Sequence, residues 1–150
     1  MKKIFLMAIL SIVLVSCSSD DNNESFSSQN IDFTLIAKGS PNIAFYDNSD
    51  VENIVFTNSS DWDNFLSEIS NSVNVEIAFS ETNVDFDNFQ VIAVVRELQP
   101  TGNEVEITNI VEYQDTILVT VIFIEGDATI LSQPFHIVKI PKSDKPVAFE

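Results

Sequence analysis

The chain has 150 residues, one cysteine, one histidine and a formal net charge of −16. That length favours a single compact domain with a sizeable core. The lone cysteine excludes internal disulfides and cysteine-cluster metal sites. The excess of acidic residues argues against nucleic acid as a partner, because binding to phosphates requires clustered Lys and Arg.

The first 17 residues have the order of a bacterial lipoprotein leader. A positive start, an uncharged apolar run and a lipobox follow one another as Lys2-Lys3, Ile4–Val13 and Leu14-Val15-Ser16-Cys17. An aliphatic residue and a small residue before a cysteine are typical of the site where a peptidase cuts and a lipid is attached. We therefore predict a signal peptide over residues 1–16 and lipidation of Cys17, with palmitate among the acyl chains.

The alternative for this leader is a transmembrane helix, which the sequence disfavours. Its apolar run of about a dozen residues is shorter than the ~20 that span a bilayer. Several acyl chains, in contrast, hold a protein stably at a membrane. Cleavage after residue 16 would leave 5 basic and 23 acidic residues, a net charge of −18. That charge should keep the body in solvent and off an anionic bilayer surface.

Residues 17–30 are predicted to be the lipidated cysteine and a disordered acidic tether, because polar and acidic residues dominate there. The run Ser18-Ser19-Asp20-Asp21 resembles the acidic export tag of surface-exposed bacterial lipoproteins, and a plain solvated linker is the alternative. The predicted location is therefore the outer membrane, lipid-anchored, at either its cell-surface or its periplasmic face.

Residues 31–150 are predicted to form one α+β domain, a mainly antiparallel twisted sheet or partial barrel covered by one α-helix. Ile31, Phe33 and Leu35 alternate with polar residues, which predicts a first strand from residue 31 to about residue 39. Later strands are expected at Asn53–Thr57, Val91–Val95, Val105–Ile107, Ile117–Phe123, Phe135–Ile140 and Val147–Phe149. The run at 91–95 is continuously apolar, which indicates a strand buried on both faces. Because long crossovers are missing from this pattern, we expect antiparallel pairing.

The helix is predicted from four apolar residues at positions i, i+3, i+4 and i+7, namely Trp62, Phe65, Leu66 and Ile69. Ser60 suits the N-cap, and Asp63 three residues later completes a capping-box pattern. The polar residues from Asn71 to Asn74 are expected to end the helix.

Residues that could carry chemistry are few. His136 is the sole histidine and lies in an alternating strand, which favours a structural role over a catalytic one; a hydrolase that uses His136 with acidic residues is the alternative. Nucleophile-elbow and phosphate-loop motifs are missing. Asp85-Phe86-Asp87 lacks the third ligand, glycine and distal glutamate of a calcium loop. We predict no metal site and no cofactor.

Arg96 is the sole arginine and directly follows the apolar run at 91–95. An ion pair with Glu97 or another nearby carboxylate is expected. A recognition contact with a partner is the alternative.

Several segments in the same order resemble the PrcB C-terminal domain family, which is named after a lipoprotein subunit of a bacterial cell-surface protease complex. The segments are Asp61-Trp62, Val84-Asp85-Phe86, Val91–Val95, Pro100-Thr101-Gly102, the alternation of Val105 and Ile107, and the stretch from Gln133 to Lys142. The resemblance covers about residues 55–150, and its most specific part is Pro134–Lys142 (PFHIVKIPK). It implies a non-catalytic accessory domain.

One turn departs from the family pattern. The family often has Thr-Gly-Gly-Tyr where this chain has Thr101-Gly102-Asn103-Glu104. Asparagine tolerates positive φ better than most residues, so the turn can persist, although an exposed aromatic residue is lost. We take Arg96, Gly102, Asn103 and His136 as candidate residues for binding a partner or ligand.

The expected function is that of a membrane-anchored accessory lipoprotein that binds or stabilises a partner protein, with a surface protease complex as one such partner. The alternative is a surface lipoprotein that binds a small ligand or glycan. Exposed aromatic side chains would favour this alternative, and Tyr46, Tyr113 and Phe123 are the candidates.

Overall fold

The computed structural model describes residues 26–41, 52–99, 102–127 and 131–150. The predicted signal peptide, Cys17, Tyr46, Pro100 and Thr101 lie outside these residues.

The described residues have an α+β fold of two sheets and two helices. The central sheet has the order β2 (Thr34–Gly39), β7 (Phe135–Pro141), β4 (Phe89–Val95), β3 (Glu52–Phe56). The second sheet has the order β1 (Gln29–Asn30), β5 (Glu104–Glu112), β6 (Ile117–Ile124), β8 (Val147–Phe149). The helices are α1 (Ser59–Ile69) and α2 (Val75–Ala78).

The predicted fold class is confirmed, and its pairing is mainly antiparallel. Every pair of neighbouring strands is antiparallel except β6 and β8, which run parallel. The two sheets pack face to face, and α1 covers the far side of the central sheet. Three layers therefore enclose two apolar cores.

Strand β4 explains why residues 91–95 are continuously apolar. Val91, Ala93 and Val95 pack in the core beneath α1, together with its side chains Trp62 and Phe65. The alternate β4 residues, Ile92 and Val94, pack in the core between the two sheets. Successive side chains of a strand point to opposite faces, so both faces of β4 must be apolar. The prediction of a strand buried on both faces is confirmed.

The first strand differs from its prediction. It begins at Thr34, and the side chain of Leu35 is exposed, whereas Ile36 and Ala37 are both buried. The pairing of β2 with β7 shifts register between Leu35 and Ala37, which is a β-bulge. A bulge places one extra residue in the strand and breaks the alternation of its faces. The periodicity of Ile31, Phe33 and Leu35 therefore does not continue into β2.

The ordered domain also begins before residue 31. Gln29 and Asn30, which the sequence places in the tether, form β1 and pair with Glu112 and Val111 of β5. The Gln29 Nε2 donates to Glu112 Oε2 at 2.7 Å. Polar residues can extend a sheet because the pairing uses backbone groups, so composition alone misses this short strand.

The N-cap of α1 is Asn58, so the prediction of Ser60 is wrong. The Asn58 Oδ1 accepts the Asp61 backbone N–H at 3.0 Å, and its Nδ2 donates to Asp61 Oδ2 at 2.7 Å. Ser60 is the second residue of the helix, so Asp63 does not complete a capping box with it. The predicted apolar face is correct, since Trp62, Phe65 and Ile69 of α1 are buried. The four-residue helix α2 is too short to give a periodic signal.

Candidate functional site

His136 joins the two sheets. It lies on β7 opposite Val94 of β4, and its Nδ1 accepts the Ile107 backbone N–H of β5 at 2.8 Å. Its exposed fraction is 4 %. Burial, helped by the charge of Lys38 and opposed by Glu106, lowers the pKa of His136 to about 4. The imidazole is therefore neutral at pH 7, and the bond that its Nδ1 accepts gives His136 a structural role.

Asn103 holds three loops together. Its Nδ2 donates to Gln99 Oε1 at 2.8 Å, and its Oδ1 accepts the Gly126 backbone N–H at 2.9 Å. Its carbonyl oxygen accepts the Ser40 hydroxyl at 2.8 Å. Asn103 is buried. These contacts attach the connection between β4 and β5 to the segments that follow β2 and β6. Both the Oδ1 and the Nδ2 of Asn103 therefore have hydrogen-bond partners within the protein.

The turn before β5 keeps its glycine conformation. Gly102 has a φ of 59°, whereas Asn103 is not among the described residues with positive φ. A φ in this region favours glycine because it has no Cβ. Gly102 therefore occupies the left-handed position of the turn, and Asn103, where this chain departs from the family pattern, does not need that conformation.

Arg96 does not form the predicted ion pair with any carboxylate of the described residues. Its backbone N–H donates to the Pro134 carbonyl at 3.0 Å. The side-chain Nε is buried without a hydrogen-bond partner, and burial lowers the pKa of the guanidinium. The expected ion pair with Glu97 does not form, because the surroundings of the Arg96 side chain are set by tertiary contacts that the local sequence does not encode.

The four residues predicted for binding lie at one end of the two sheets and are not hydrogen-bonded to one another. Arg96 contacts Pro134, two residues before His136, and Asn103 precedes the strand whose Ile107 contacts His136. Within the described part of the chain, none of the hydrogen bonds joins two of these four residues. Two of the four are buried structural groups.

An exposed apolar surface lies at the end of β6, and Phe123 is the one residue of it that was predicted as a binding candidate. Ile122, Phe123 and Ile124 are consecutive and have exposed fractions of 40 %, 43 % and 40 %. They pair with Glu106, Val105 and Glu104 of β5. We call these three residues the β6 end. The sequence contains a signal for this surface: residues 122–124 are all apolar, whereas a half-buried strand normally carries polar residues on its solvent face.

The outward edge of β6 is covered along only part of its length. The Ile117 N–H donates to the Pro146 carbonyl at 2.9 Å, and the Val121 N–H donates to the Glu150 carbonyl at 2.8 Å. The pairing of β6 with β8 itself runs from Ile117 to Val119. No backbone of the described residues pairs with this edge beyond Val121, so the β6 end presents an open strand edge.

A cavity of about 430 Å³ lies beside β4 and the connection from β7 to β8. Gln90 lines it, and this residue is buried. Its Oε1 accepts the Ser143 backbone N–H at 3.3 Å, while its Nε2 has no partner. The cavity therefore has one buried amide donor that could serve a small polar ligand.

The exposed aromatic candidates do not share one surface. Tyr113 and Phe123 have exposed fractions of 41 % and 43 %, and Tyr46 lies outside the described residues. Tyr113 lies in the hairpin before Ile117, so about 20 Å of strand separates it from Phe123 at ~3.3 Å per residue. The two described candidates are therefore both exposed, at separate places along the second sheet.

Asp85 stabilises the turn before β4. Its Oδ1 accepts the Asp87 N–H at 3.1 Å and its Oδ2 accepts the Asn88 Nδ2 at 2.7 Å, and these bonds lower the pKa of Asp85. Across residues 26–41, 52–99, 102–127 and 131–150, the structure contains no group of three or more His, Cys, Asp or Glu side chains placed to hold a metal ion.

Comparison with known proteins adds no identification. No family model, curated protein or solved structure matches this chain. The resemblance to the PrcB C-terminal domain therefore stays a prediction. Among the described residues, no helix has the length and hydropathy needed to cross a membrane.

Proposed function

We propose that this chain is a lipid-anchored, non-catalytic accessory protein that binds a partner protein through the β6 end. The supporting observation is the exposure of three consecutive large apolar side chains, Ile122 to Ile124, on a strand with an open edge. Contiguous exposed apolar surface is characteristic of interaction sites. The family resemblance suggests a surface protease complex as the partner.

The anchor in this proposal rests on Cys17 and the leader that precedes it. We expect metabolic labelling with a palmitate analogue to mark the full chain, and the Cys17→Ser variant to lose both the label and its recovery in the outer-membrane fraction. A Cys17→Ser variant that stays labelled and membrane-bound would contradict the lipid anchor.

Partner binding is tested by capture from the native membrane. We expect the double variant Ile122→Ser with Ile124→Ser to recover the partner at about a tenth of the wild-type level, since removal of central apolar contacts costs more than 1 kcal/mol. The matched control is Ile77→Ser, because Ile77 on α2 is the most exposed of the large apolar residues described, at 83 %. Equal recovery with all three proteins would contradict the proposal, as would recovery of no partner by the wild type.

A small-ligand-binding protein is the second candidate, and the unpartnered Nε2 of Gln90 in its cavity favours it. We would titrate the chain with neutral disaccharides and follow the side-chain amide resonances of Gln90. A shift of the Gln90 amide in the wild type, together with a disaccharide affinity that falls in Gln90→Leu but not in the control Gln114→Leu, at an exposed hairpin position, would support this function. Unmoved amide resonances would contradict it.

A further inference from the structure

We infer that the open edge of β6 binds an extended segment of the partner that carries basic residues at both ends and adds to the second sheet as a strand. The inference rests on the proposed function, because it assigns the binding mode and the chemistry of the segment to the same surface. The backbone direction, the side chains and the charges of this edge each point to such a segment.

The backbone groups of alternate strand residues point to the same side of the strand. Ile117 and Val121 direct their N–H groups toward the β8 side, where they bond to Pro146 and Glu150. β6 has no register shift of its own, since the irregularity in its pairing lies on β5 between Ile107 and Asn109. The N–H and C=O of Phe123 therefore point to the side on which the described residues provide no strand.

This orientation suits strand addition. The Val121 C=O, both backbone groups of Phe123 and the Glu125 N–H form a short row of acceptors and donors along one edge. Exposed strand edges pair readily with an extended segment, whose backbone gives affinity and whose alternate side chains give specificity. The side chains of Ile122 and Ile124 lie on one face and that of Phe123 on the other, so apolar side chains of an added strand would find cover on both faces.

Charge defines the partner segment. Glu125 follows the β6 end directly, and Glu150 lies at its other limit, where its backbone bonds to Val119 and Val121. On the neighbouring strand, Glu104 and Glu106 share a single cation, Lys38, at 3.6 Å and 3.4 Å. Carboxylates thus flank the open edge at both ends, and they favour Lys or Arg at both ends of the added segment.

The same charges oppose a second copy of this chain as the occupant. The chain carries a formal net charge of −16. Pairing two copies edge to edge would place their acidic flanks against one another, and like charges juxtaposed across an interface are unfavourable. We therefore assign the edge to a partner with basic flanks.

The test uses the full chain in detergent and two labelled peptides of about eight residues, the length of a short strand. Both have the same alternating Thr-Val core, flanked by Lys in one and by Glu in the other. We expect the Lys-flanked peptide to bind about tenfold more tightly, with a preference that weakens as salt is added. Binding should slow hydrogen exchange at the amides of Phe123 and Glu125 and leave those of Ile122 and Ile124 unchanged, because the latter already face β5.

Charge reversal gives the matched comparison. The double variant Glu125→Lys with Glu150→Lys should bind the Glu-flanked peptide about tenfold more tightly than the Lys-flanked one, which inverts the wild-type preference. The control, Glu68→Lys with Glu76→Lys, makes the same charge change on the exposed surfaces of α1 and α2 and should keep the wild-type preference. Equal binding of both peptides by the wild type would overturn the inference. Protection of Phe123 and Glu125 in a dimer without peptide would overturn it in favour of a second copy.

The result separates this inference from the proposed function. If the native partner is recovered equally by the wild type and by the charge-reversed variant, partner binding stands and the edge assignment fails. If the peptides behave as expected while no native partner is recovered, the edge chemistry stands and the proposed function fails.

Discussion

The Nδ1 of His136 on β7 accepts the Ile107 backbone N–H of β5 at 2.8 Å, which connects the two sheets through a single buried side chain. Ile107 lies next to the β-bulge of β5, where regular pairing is interrupted. A buried N–H without a partner is costly, and His136 supplies that partner. Only a neutral imidazole can do so, because a protonated one has no acceptor.

This contact should make stability depend on pH. In the unfolded chain the imidazole takes up a proton below its ordinary pKa of 6.5, whereas in the folded protein the pKa of His136 is about 4. The stabilisation is complete above pH 6.5 and is lost as the pH falls toward 4. By linkage, the free energy of unfolding should decrease by about 3 kcal/mol over that range. Urea unfolding at a series of pH values measures it.

The control is His136→Gln, which keeps a hydrogen-bond acceptor and removes the titration. Because the chain contains one histidine, the difference between the two pH curves isolates the contribution of His136 from that of the carboxylates. Parallel curves for the wild type and the variant would show that the folded imidazole titrates normally.

Asn103→Ala should destabilise the fold by about 1 to 2 kcal/mol, since it leaves the part-buried Gly126 N–H without its acceptor. Hydrogen exchange at the Gly126 amide should become faster than in the wild type. Asn109→Ala, at an exposed position of β5, is the matched control and should change stability by less than about 0.5 kcal/mol. Similar effects of the two substitutions would mean that the loop contacts of Asn103 contribute little.

The fold was largely predictable because its strongest signals are local. The apolar run of β4 predicts a strand buried on both faces, and the spacing of Trp62 and Ile69 predicts the buried face of α1. The bulge at Ile36 was not predictable in this way, because its position depends on the register with β7. Sequence alternation describes one strand, whereas a bulge is a property of a pair.

The candidate site was less predictable, for a related reason. A structural role for His136 followed from its place in an alternating strand, but its bond to Ile107 joins residues that are 29 positions apart. Arg96 was expected to pair with a carboxylate, and its surroundings instead bury the Nε without a partner. The open edge at Phe123 depends on how far β8 extends along β6, which composition does not reveal.

The start of α1 can be tested with two single substitutions. Asn58→Ala should reduce stability by about 1 kcal/mol, because it removes the acceptor of the Asp61 backbone N–H. Ser60→Ala should be close to neutral, since Ser60 lies within the helix and is exposed. Urea unfolding of both variants measures the difference. A larger loss for Ser60→Ala would indicate that the helix starts two residues later than described.

Gly102→Ala should cost about 1 to 2 kcal/mol, because a Cβ is disfavoured at its φ of 59°. Gly126→Ala is the matched control: Gly126 is not among the glycines with positive φ, and alanine keeps the N–H that bonds to Asn103. Alanine at a compatible position restricts the unfolded chain, so this variant should be neutral or stabilised by less than about 1 kcal/mol. Gly102→Asn should lose less than Gly102→Ala, because asparagine tolerates the left-handed region better. If the three variants were equally stable, the turn before β5 would not require a residue in the left-handed region.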